Sequence, residues 1–350
     1  MSVDFDGLKA LIAPLRAAQF DFDESAVKAA LFALCDGEAV FHHCHPFGDL
    51  HGPEAFYAGS YAPLLRALPD LERRDWLVMS GPTERGDVWL GCGGYYSGTF
   101  VAPWLDIPPT GHVVHMRFHE FYRFVGGKIV EAQMIWDIPE VMMQAGCWPM
   151  TPSLGREWCV PGPAAQDGLA RAPRSAAQSD ASCALIVDML AALIRHPAQG
   201  GPEVMELERF WHPRMMWYGP AGIGTARGIA GFRNWHQIPF LNAMPDRGQS
   251  DDDLVFHFFG DGPYAAVTGW PNMVQSVSAD GWLGIAPSGV RIELRSLDFW
   301  RQENGVIREN WVLVDLLDMY RQLGVDVFAR LRSFNKARVP GSVPFPIGAP

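Results

Sequence analysis

Hydrophobic and polar positions follow two different periods along the chain. Residues 26–34 and 185–194 have the apolar spacing of three to four residues that amphipathic helices show. Two long runs rich in aromatic and β-branched residues, 113–124 and 129–137, flank the tetrapeptide Val125-Gly126-Gly127-Lys128. Such runs on either side of a glycine pair predict two strands joined by a tight hairpin. The pattern therefore predicts helices first and an antiparallel sheet last.

The same pattern occurs a second time. Residues 117–146 align with residues 295–324 at a constant offset of 178 without a gap, and nine of the 30 positions are identical. The second copy has Glu303-Asn304-Gly305-Val306 at the turn, and Asn-Gly is a strong hairpin signal. Further upstream, WLDIPPTG at 104–111 matches WLGIAPSG at 282–289. We therefore expect an internal duplication of one α+β unit.

A segment without sustained apolar periodicity separates the two copies. Residues 148–180 are rich in Pro, Gly, Ala and Ser, as linkers are. The predicted organisation is an N-terminal helical extension, a first domain, a linker, a second domain and a C-terminal tail, over residues 1–24, 25–150, 151–180, 181–335 and 336–350.

Composition narrows the class of protein. Of the 350 residues, 48% are hydrophobic and 19% charged, which supplies enough apolar material for packed cores. The formal charge of −11 opposes binding to a phosphate backbone or an anionic membrane, so we expect neither nucleic acid nor membrane as a partner. The six cysteines include no C-x-x-C pair, and the first 20 residues lack a signal-peptide pattern. We therefore expect reduced thiols and a cytoplasmic protein.

Several motifs of the first copy carry a family resemblance. The segments HPFGDLHGPEAFY, LRALPDLERRD, GTFVAPWLDIPPTGH, RFHEFYRFVGGKIVEAQMIWD and MMQAG resemble the SnoaL-like polyketide cyclases of the NTF2-like superfamily. The resemblance covers residues 25–147 and, less closely, 183–326. It implies an α+β fold of two NTF2-like cone-shaped domains, each a curved antiparallel sheet wrapped by helices around a pocket for a small hydrophobic ligand.

The resemblance also implies a chemistry. Family cyclases close a ring of an aromatic polyketide by intramolecular aldol condensation without metal or cofactor, and an Asp near the end of the last strand serves as acid and base. The matching residues are Asp137 and Asp315. An apolar pocket raises the pKa of a carboxyl toward the value that a base needs at neutral pH, and the neighbours of Asp137 are apolar. The alternative is structural, because Asp137-Ile138-Pro139-Glu140 and Asp315-Leu316-Leu317-Asp318 both have the outline of a helix N-cap.

Strand alternation predicts the neighbours of Asp137. With a two-residue turn at Gly126-Gly127, Asp137 lies opposite Met116. The side chains expected on its face are Phe118, Glu120, Gln133 and Ile135. Glu120, which has Asp298 as its counterpart, is a second carboxylate. It either raises the pKa of Asp137 or holds the substrate by a hydrogen bond, or else it belongs to a polar face open to water. His115 and His119 fall on the opposite face, so their participation requires a β-bulge.

These arguments give a set of candidate residues. We expect the catalytic residues to be Asp137, His119, Glu120 and Asp315. We expect the substrate-binding residues to be His51, Trp104, Phe118, Gln133, Ile135 and Asp298. The N-terminal unit is the favoured catalyst, because Glu293 and Leu297 replace the two histidines in the second copy. The histidines at 42–51 are interrupted by Pro46 and Gly48, which favours a loop over a metal site.

The function predicted from the sequence is that of a cofactor-independent enzyme of cyclase, lyase or isomerase type. Its expected partner is a small hydrophobic or aromatic carbonyl compound, and the two domains are expected to pack as an intrachain pseudo-dimer, with further homo-oligomerisation left open. Because a fold does not determine a reaction, an epoxide hydrolase, an isomerase, a non-catalytic binding protein and an assembly protein remain alternatives.

Overall fold

Each half of the chain forms one β-sheet with helices packed against it. The computed structural model describes residues 5–170, 175–248 and 254–335. The predicted C-terminal tail, 336–350, lies outside the described residues.

The N-terminal domain has six strands in the order β2-β1-β6-β5-β4-β3. Its strands are β1 (Cys35–His43), β2 (Gly48–His51), β3 (Glu72–Pro82), β4 (Val88–Thr99), β5 (Val113–Val125) and β6 (Lys128–Trp136). Its helices are α1 (Phe5–Phe20), α2 (Glu24–Leu34), α3 (Gly52–Phe56), α4 (Ala62–Ala67) and α5 (Ile138–Gln144), and a π-helical turn, Tyr57–Tyr61, joins α3 to α4.

The C-terminal domain repeats this arrangement with the strand order β8-β7-β14-β13-β10-β9. Its helices are α6 (Ala176–Leu193), α7 (Leu207–Phe210), α8 (Gly228–Phe232), α9 (Ile238–Ala243), α10 (Leu316–Gln322) and α11 (Val327–Phe334). Its strands are β7 (Trp211–Tyr218), β8 (Thr225–Arg227), β9 (His257–Asp261), β10 (Tyr264–Thr268), β13 (Ser296–Glu303) and β14 (Val306–Val314), with a separate pair β11 (Met273–Ser276) and β12 (Arg291–Leu294). A 3₁₀ turn, Pro202–Met205, precedes α7, and a π-helical turn, Arg233–Gln237, joins α8 to α9.

The duplicated α+β fold predicted from the sequence is confirmed, and both predicted hairpins are present. Gly126-Gly127 and Asn304-Gly305 form the two turns, and all four residues have positive φ, as a tight hairpin with right-handed strand twist requires. The sheets differ from the prediction in one respect. They are mixed rather than wholly antiparallel, because the first strand of each domain lies parallel to the last.

The register of the β5–β6 hairpin shifts by one residue near the turn. Phe124 pairs with Ile129, whereas Arg123 pairs with Glu131, so one residue of β6 is extra. The prediction that Phe118 and Glu120 share a sheet face with Asp137 is therefore wrong, because both side chains lie on the opposite face. The residues on the Asp137 side are Arg117, His119, Gln133 and Ile135. The β13–β14 hairpin has a shift at the equivalent place, between Arg301 and Gln302.

The two sheets pack against each other through their outer faces, and in the N-terminal domain the outer face is the one that carries Asp137. An approximate two-fold axis relates the two domains. Phe121 stacks on Phe299 with ring centroids 4.8 Å apart, and His119 Nδ1 contacts the carbonyl oxygen of Leu297 at 2.6 Å. Both pairs join a residue to its own counterpart at the offset of 178. Contact between equivalent residues is what a two-fold interface produces.

The segment predicted as a linker contacts both domains. The Val160 N–H donates to the Tyr95 hydroxyl at 2.7 Å, and the Val78 N–H donates to the Gly168 carbonyl at 2.9 Å, both in the N-terminal domain. The Trp311 indole of the C-terminal domain donates to the Pro161 carbonyl at 2.9 Å. Residues 148–170 therefore form an interdomain strap rather than a free spacer.

Among the described residues, α6 is the helix whose length and hydropathy match those of a membrane-crossing segment. It packs against β9 and β10 of the C-terminal sheet. Only 28% of its residues are buried there.

Candidate active site

The interior of the N-terminal domain is filled by side chains around Glu120. This carboxylate is completely buried and accepts hydrogen bonds from Arg73 Nη1 at 2.6 Å, from the Tyr122 hydroxyl at 2.7 Å, and from the Tyr96 hydroxyl and Trp136 Nε1 at 3.0 Å each. A carboxylate has about four acceptor sites, so none is left for a substrate. The structure therefore gives Glu120 a structural environment rather than the predicted catalytic one.

The substrate-binding residues predicted in this domain have other surroundings. Phe118 packs against Tyr96, with ring centroids 4.7 Å apart, and beneath the Arg73 guanidinium at 4.2 Å. Trp104 is a buried residue that contacts Phe47. His51 is exposed at the start of α3. None of these side chains lines the cavity described below.

Asp137 and Asp315 lie at the domain interface, in reciprocal positions. Asp137 Oδ2 accepts from the Ala221 N–H at 2.9 Å and lies 3.4 Å from Arg117 Nη2. Asp315 Oδ2 accepts from the His45 N–H at 3.0 Å. Each carboxylate thus binds the loop after the first strand of the other domain. Both are buried, and burial raises the pKa of each.

The capping alternative is confirmed for one of the two aspartates. Asp315 Oδ1 accepts from the Asp318 N–H at 3.1 Å, which caps α10. Asp137 makes no such bond to α5, and Glu140 accepts instead from the Arg117 N–H at 2.7 Å. Asp137 therefore connects the domains, while Asp315 both connects them and caps a helix.

His119, Gln133 and Ile135 share this interface. The bulge does place His119 on the face of Asp137, as the predicted partnership required, but that face packs against the C-terminal sheet. Burial lowers the pKa of His119 well below its ordinary value, and the Arg117 charge adds to this. Gln133 accepts from the Thr268 hydroxyl, and Ile135 pairs with His119 across the strands. The predicted residues are thus brought together, although around the interdomain contact.

The clustered histidines at 42–51 separate in the structure. His42 pairs with Asp49 at 2.8 Å, and His43 is buried edge-on against Trp136. Within the described parts of the chain, no three His, Cys, Asp or Glu side chains converge in a way that could hold a metal ion.

The C-terminal domain contains a mainly apolar cavity of about 460 Å³. Three large N-terminal side chains, Phe118, Met134 and Trp136, are replaced by Ser296, Val312 and Val314 at the offset of 178. In addition, β10 and β11 together take the place of the single strand β4, and Met273 of β11 stands opposite Leu294 where the first domain has Tyr96 opposite Met116. The space that the N-terminal domain fills with its own side chains is therefore open here, and its size suits a drug-sized ligand.

Asp298 is the carboxylate of this cavity. It occupies the position of Glu120 on β13, lines the cavity and keeps accessible surface there. The Ser296 hydroxyl donates to Asp298 Oδ1 at 2.7 Å. Burial raises the Asp298 pKa to about 7, although the Ser296 hydrogen bond and the Arg247 charge act in the opposite direction. A carboxyl with this pKa is suited to take and return a proton near neutral pH.

Asn272 fixes the residue that holds Asp298. Its amide Nδ2 donates to the Ser296 carbonyl at 2.8 Å, and its Oδ1 accepts from the Ser296 N–H at 3.0 Å. This two-point contact with the backbone orients Ser296, and Ser296 in turn orients the carboxylate.

Two more titratable side chains line the cavity. His236 stacks on Trp217, with ring centroids 4.0 Å apart, and burial lowers the His236 pKa to about 3, so its imidazole is neutral at pH 7. Arg247 lies over the Phe240 ring at 5.5 Å. Burial lowers the Arg247 pKa to about 10, which leaves the guanidinium charged at pH 7. The wall therefore provides a base, a neutral imidazole and a cation.

Sequence reasoning placed Asp298 in the site but missed His236 and Arg247. Neither residue belongs to a recognisable motif. The available signal was the difference between the two copies, since the positions around Asp298 carry smaller side chains than those around Glu120.

Comparison with known proteins identifies the two repeats. The family model of the SnoaL-like polyketide cyclases matches residues 26–145 and 200–323. Solved structures similar to single repeats include IdmH from Streptomyces antibioticus, with 23% identity, coverage of 40% of this chain and 98% of its own, and a TM-score of 0.33. AclR from Streptomyces galilaeus has 20% identity, coverage of 41% and 87%, and a TM-score of 0.34. An NTF2-like protein from Burkholderia thailandensis has 20% identity, coverage of 40% and 96%, and a TM-score of 0.31. No curated protein matches the chain.

Proposed function

The chain belongs to the SnoaL-like polyketide cyclase family, and from this premise we propose that its C-terminal domain is a cofactor-independent catalyst that moves a proton on a hydrophobic carbonyl compound. The observation that carries the proposal is Asp298, a carboxyl with a pKa of about 7 in a mainly apolar cavity of about 460 Å³. Proton abstraction beside a carbonyl needs a base of this kind, held away from bulk water.

The proposed step begins with ionised Asp298. Its free carboxylate oxygen takes a proton from the carbon next to the substrate carbonyl, and the electron pair moves to form an enolate. In a cyclase reaction the enolate carbon attacks a second carbonyl of the same molecule, a carbon–carbon bond forms, and protonated Asp298 returns the proton to the new alkoxide. In an isomerase reaction the proton returns to a different carbon. Neither version consumes an oxidant, a reductant or a second substrate.

The cavity walls contribute binding and electrostatics. His236 stacks on Trp217 and on Phe240, and these three aromatic rings line one part of the cavity. The Arg247 charge lies close enough to affect Asp298 and is available to stabilise a developing enolate oxygen. Neutral His236 adds a hydrogen-bonding group whose charge does not change around pH 7.

The first experiment follows proton abstraction directly. Exchange of the α-protons of 2-tetralone for deuterium is measured by NMR with the full-length protein. We expect wild-type protein to accelerate the exchange, and Asp298→Asn to reduce the acceleration by about 100-fold or more, the usual contribution of a general base. The exchange rate should rise with pH through about 7, as Asp298 ionises.

The interface aspartates supply the matched controls. Asp137→Asn and Asp315→Asn remove buried carboxyls that lie outside the cavity, so both folded variants should keep the exchange activity. Loss of exchange in Asp137→Asn with retention in Asp298→Asn would place the chemistry in the N-terminal domain. Turnover of a tetralin epoxide without ketone exchange would favour the hydrolase alternative, and tight ketone binding without any exchange would favour a binding protein.

A further inference from the structure

The filled interior of the N-terminal domain contains a set of hydrogen bonds with which the C-terminal cavity can be compared. In the N-terminal domain, the Tyr96 hydroxyl contacts both Arg73 and Glu120, which also contact each other directly at 2.6 Å. It accepts from Arg73 Nη1 at 2.9 Å and donates to Glu120 Oε1 at 3.0 Å. A phenol thus satisfies a cation and an anion at the same time, because one hydroxyl both accepts and donates.

The C-terminal domain keeps the two charges and lacks the phenol. Asp298 takes the place of Glu120, and Arg247 supplies the cation from the segment after α9. Both residues line the cavity, and they form no ion pair with each other at 4.0 Å or less. The strand position of Tyr96 is taken by Met273 of β11, which pairs with Leu294 as Tyr96 pairs with Met116 and which carries no hydroxyl. The acceptor and donor roles of the Tyr96 hydroxyl are therefore open to a ligand.

We propose that Arg247 and Asp298 form a subsite for a neutral hydroxyl on an unsaturated carbon, a phenol or an enol, whose oxygen accepts from Arg247 and whose proton is donated to Asp298. This inference rests on the proposed function, because the enol is the species that proton abstraction from a ketone generates. Arg247 is then the residue that determines which oxygen of a substrate lies beside the base.

Charge excludes the alternative ligand groups. A ligand carboxylate would pair with Arg247 but would place a second negative charge beside Asp298. A ligand ammonium group would pair with Asp298 but would place a second positive charge beside Arg247. A bare hydrocarbon would bury both charges without a hydrogen bond, which is costly in an apolar cavity. The aromatic rings of Trp217, His236 and Phe240 favour a flat ring as the carrier of the hydroxyl.

Equilibrium binding tests the subsite without any need for turnover. Three probes share one ring system: 2-naphthol, naphthalene and 2-naphthoate. Calorimetry at pH 8 keeps Asp298 ionised and a phenol neutral. We expect wild-type protein to bind 2-naphthol about tenfold more tightly than either other probe, since a hydrogen bond to a charged group is worth about that factor.

Variants assign the preference to the two residues. Arg247→Met and Asp298→Asn should each lower the affinity for 2-naphthol to that for naphthalene. Arg247→Lys, which keeps a cation, should retain part of the preference and guards against misfolding of the methionine variant. Arg209→Met removes an exposed arginine outside the cavity and should change nothing.

Failure of the subsite is distinguishable from failure of the proposed function. Tighter binding of 2-naphthoate than of 2-naphthol would overturn the inference in favour of an anion site. Equal affinity for 2-naphthol and naphthalene, with ketone exchange still dependent on Asp298, would overturn the subsite and leave the proposed catalyst intact. A naphthol preference that depends on both residues, with ketone exchange unaffected by Asp298→Asn, would support the subsite and refute the catalyst.

Discussion

Asp298→Asn and Glu120→Gln make the same chemical change at equivalent positions of the two domains, and we expect them to change stability in opposite directions at pH 8. Asp298 lies in a cavity where burial opposes its charge, whereas Glu120 is held by four hydrogen bonds. Removing the carboxylate charge therefore removes an unfavourable buried charge at position 298, but removes the acceptor of four hydrogen bonds at position 120.

The size of the Asp298 effect follows from its pKa. Folding raises this pKa from an ordinary value of 3.8 to about 7, a shift of about three units. Each unit corresponds to about 1.4 kcal/mol, so the upper limit is about 4 kcal/mol. Well below pH 3.8 the carboxyl is protonated in both states and contributes nothing. Between pH 4 and 7 the unfolded chain loses its proton first, so the free energy of unfolding of the wild type falls relative to that of Asp298→Asn. Above pH 7 the difference is constant.

The Glu120 effect has a different origin. Glu120→Gln leaves Arg73 with Asp75 as its remaining acidic partner, at 3.0 Å, and breaking a buried ion pair costs about 3 kcal/mol or more. We expect this loss throughout pH 5–9.

Urea unfolding of the full chain, followed by circular dichroism from pH 4 to pH 9, measures both effects. An unfolding free-energy difference between Asp298→Asn and wild type that does not change with pH would refute the placement of Asp298 in a desolvated cavity. Stabilisation by Glu120→Gln at pH 8 would refute the filled N-terminal interior.

Two further substitutions test the cavity and the interface. Val314→Trp copies Trp136 into the C-terminal domain and should reduce 2-tetralone exchange at least tenfold, because the indole occupies the cavity. The free energy of unfolding should stay equal or rise by about 1–2 kcal/mol from the added apolar burial. A marked loss of stability in thermal unfolding would mean that no such space exists. Phe299→Ala should destabilise the chain by about 3–5 kcal/mol, and a double-mutant cycle with Phe121→Ala should give a coupling energy of about 1 kcal/mol; additive costs in urea unfolding would exclude the stacked pair.

The sequence predicted the features that depend on local pattern. The two hairpins follow from Gly126-Gly127 and Asn304-Gly305 between strand-like runs, and the duplication follows from the constant offset of 178. The one-residue shift in the β5–β6 register was not predictable, because an extra residue in a strand leaves no compositional trace. That single residue moved Glu120 from the predicted face to the opposite one.

The candidate site was predicted only in part, for a different reason. Asp137 and Asp315 were selected by their position after the last strand, and that position also meets the loop of the opposite domain. Alternation within one domain contains no information about what packs against its outer face. The open interior was encoded differently, in the sizes of aligned residues such as Trp136 and Val314. A comparison of the two copies by volume would have indicated the C-terminal cavity.

The filled N-terminal interior also affects how this protein tolerates change. An open cavity with a charged carboxylate lowers the stability of the domain that contains it, and functional sites commonly reduce stability in this way. Here the N-terminal copy fills the equivalent space with packed aromatic side chains and is joined to the C-terminal copy through Phe121, His119 and the interdomain strap. To the extent that the two halves unfold together, the packed half offsets the stability cost of the open one. Substitutions around the cavity then act on the stability of the whole chain rather than on that of one small domain.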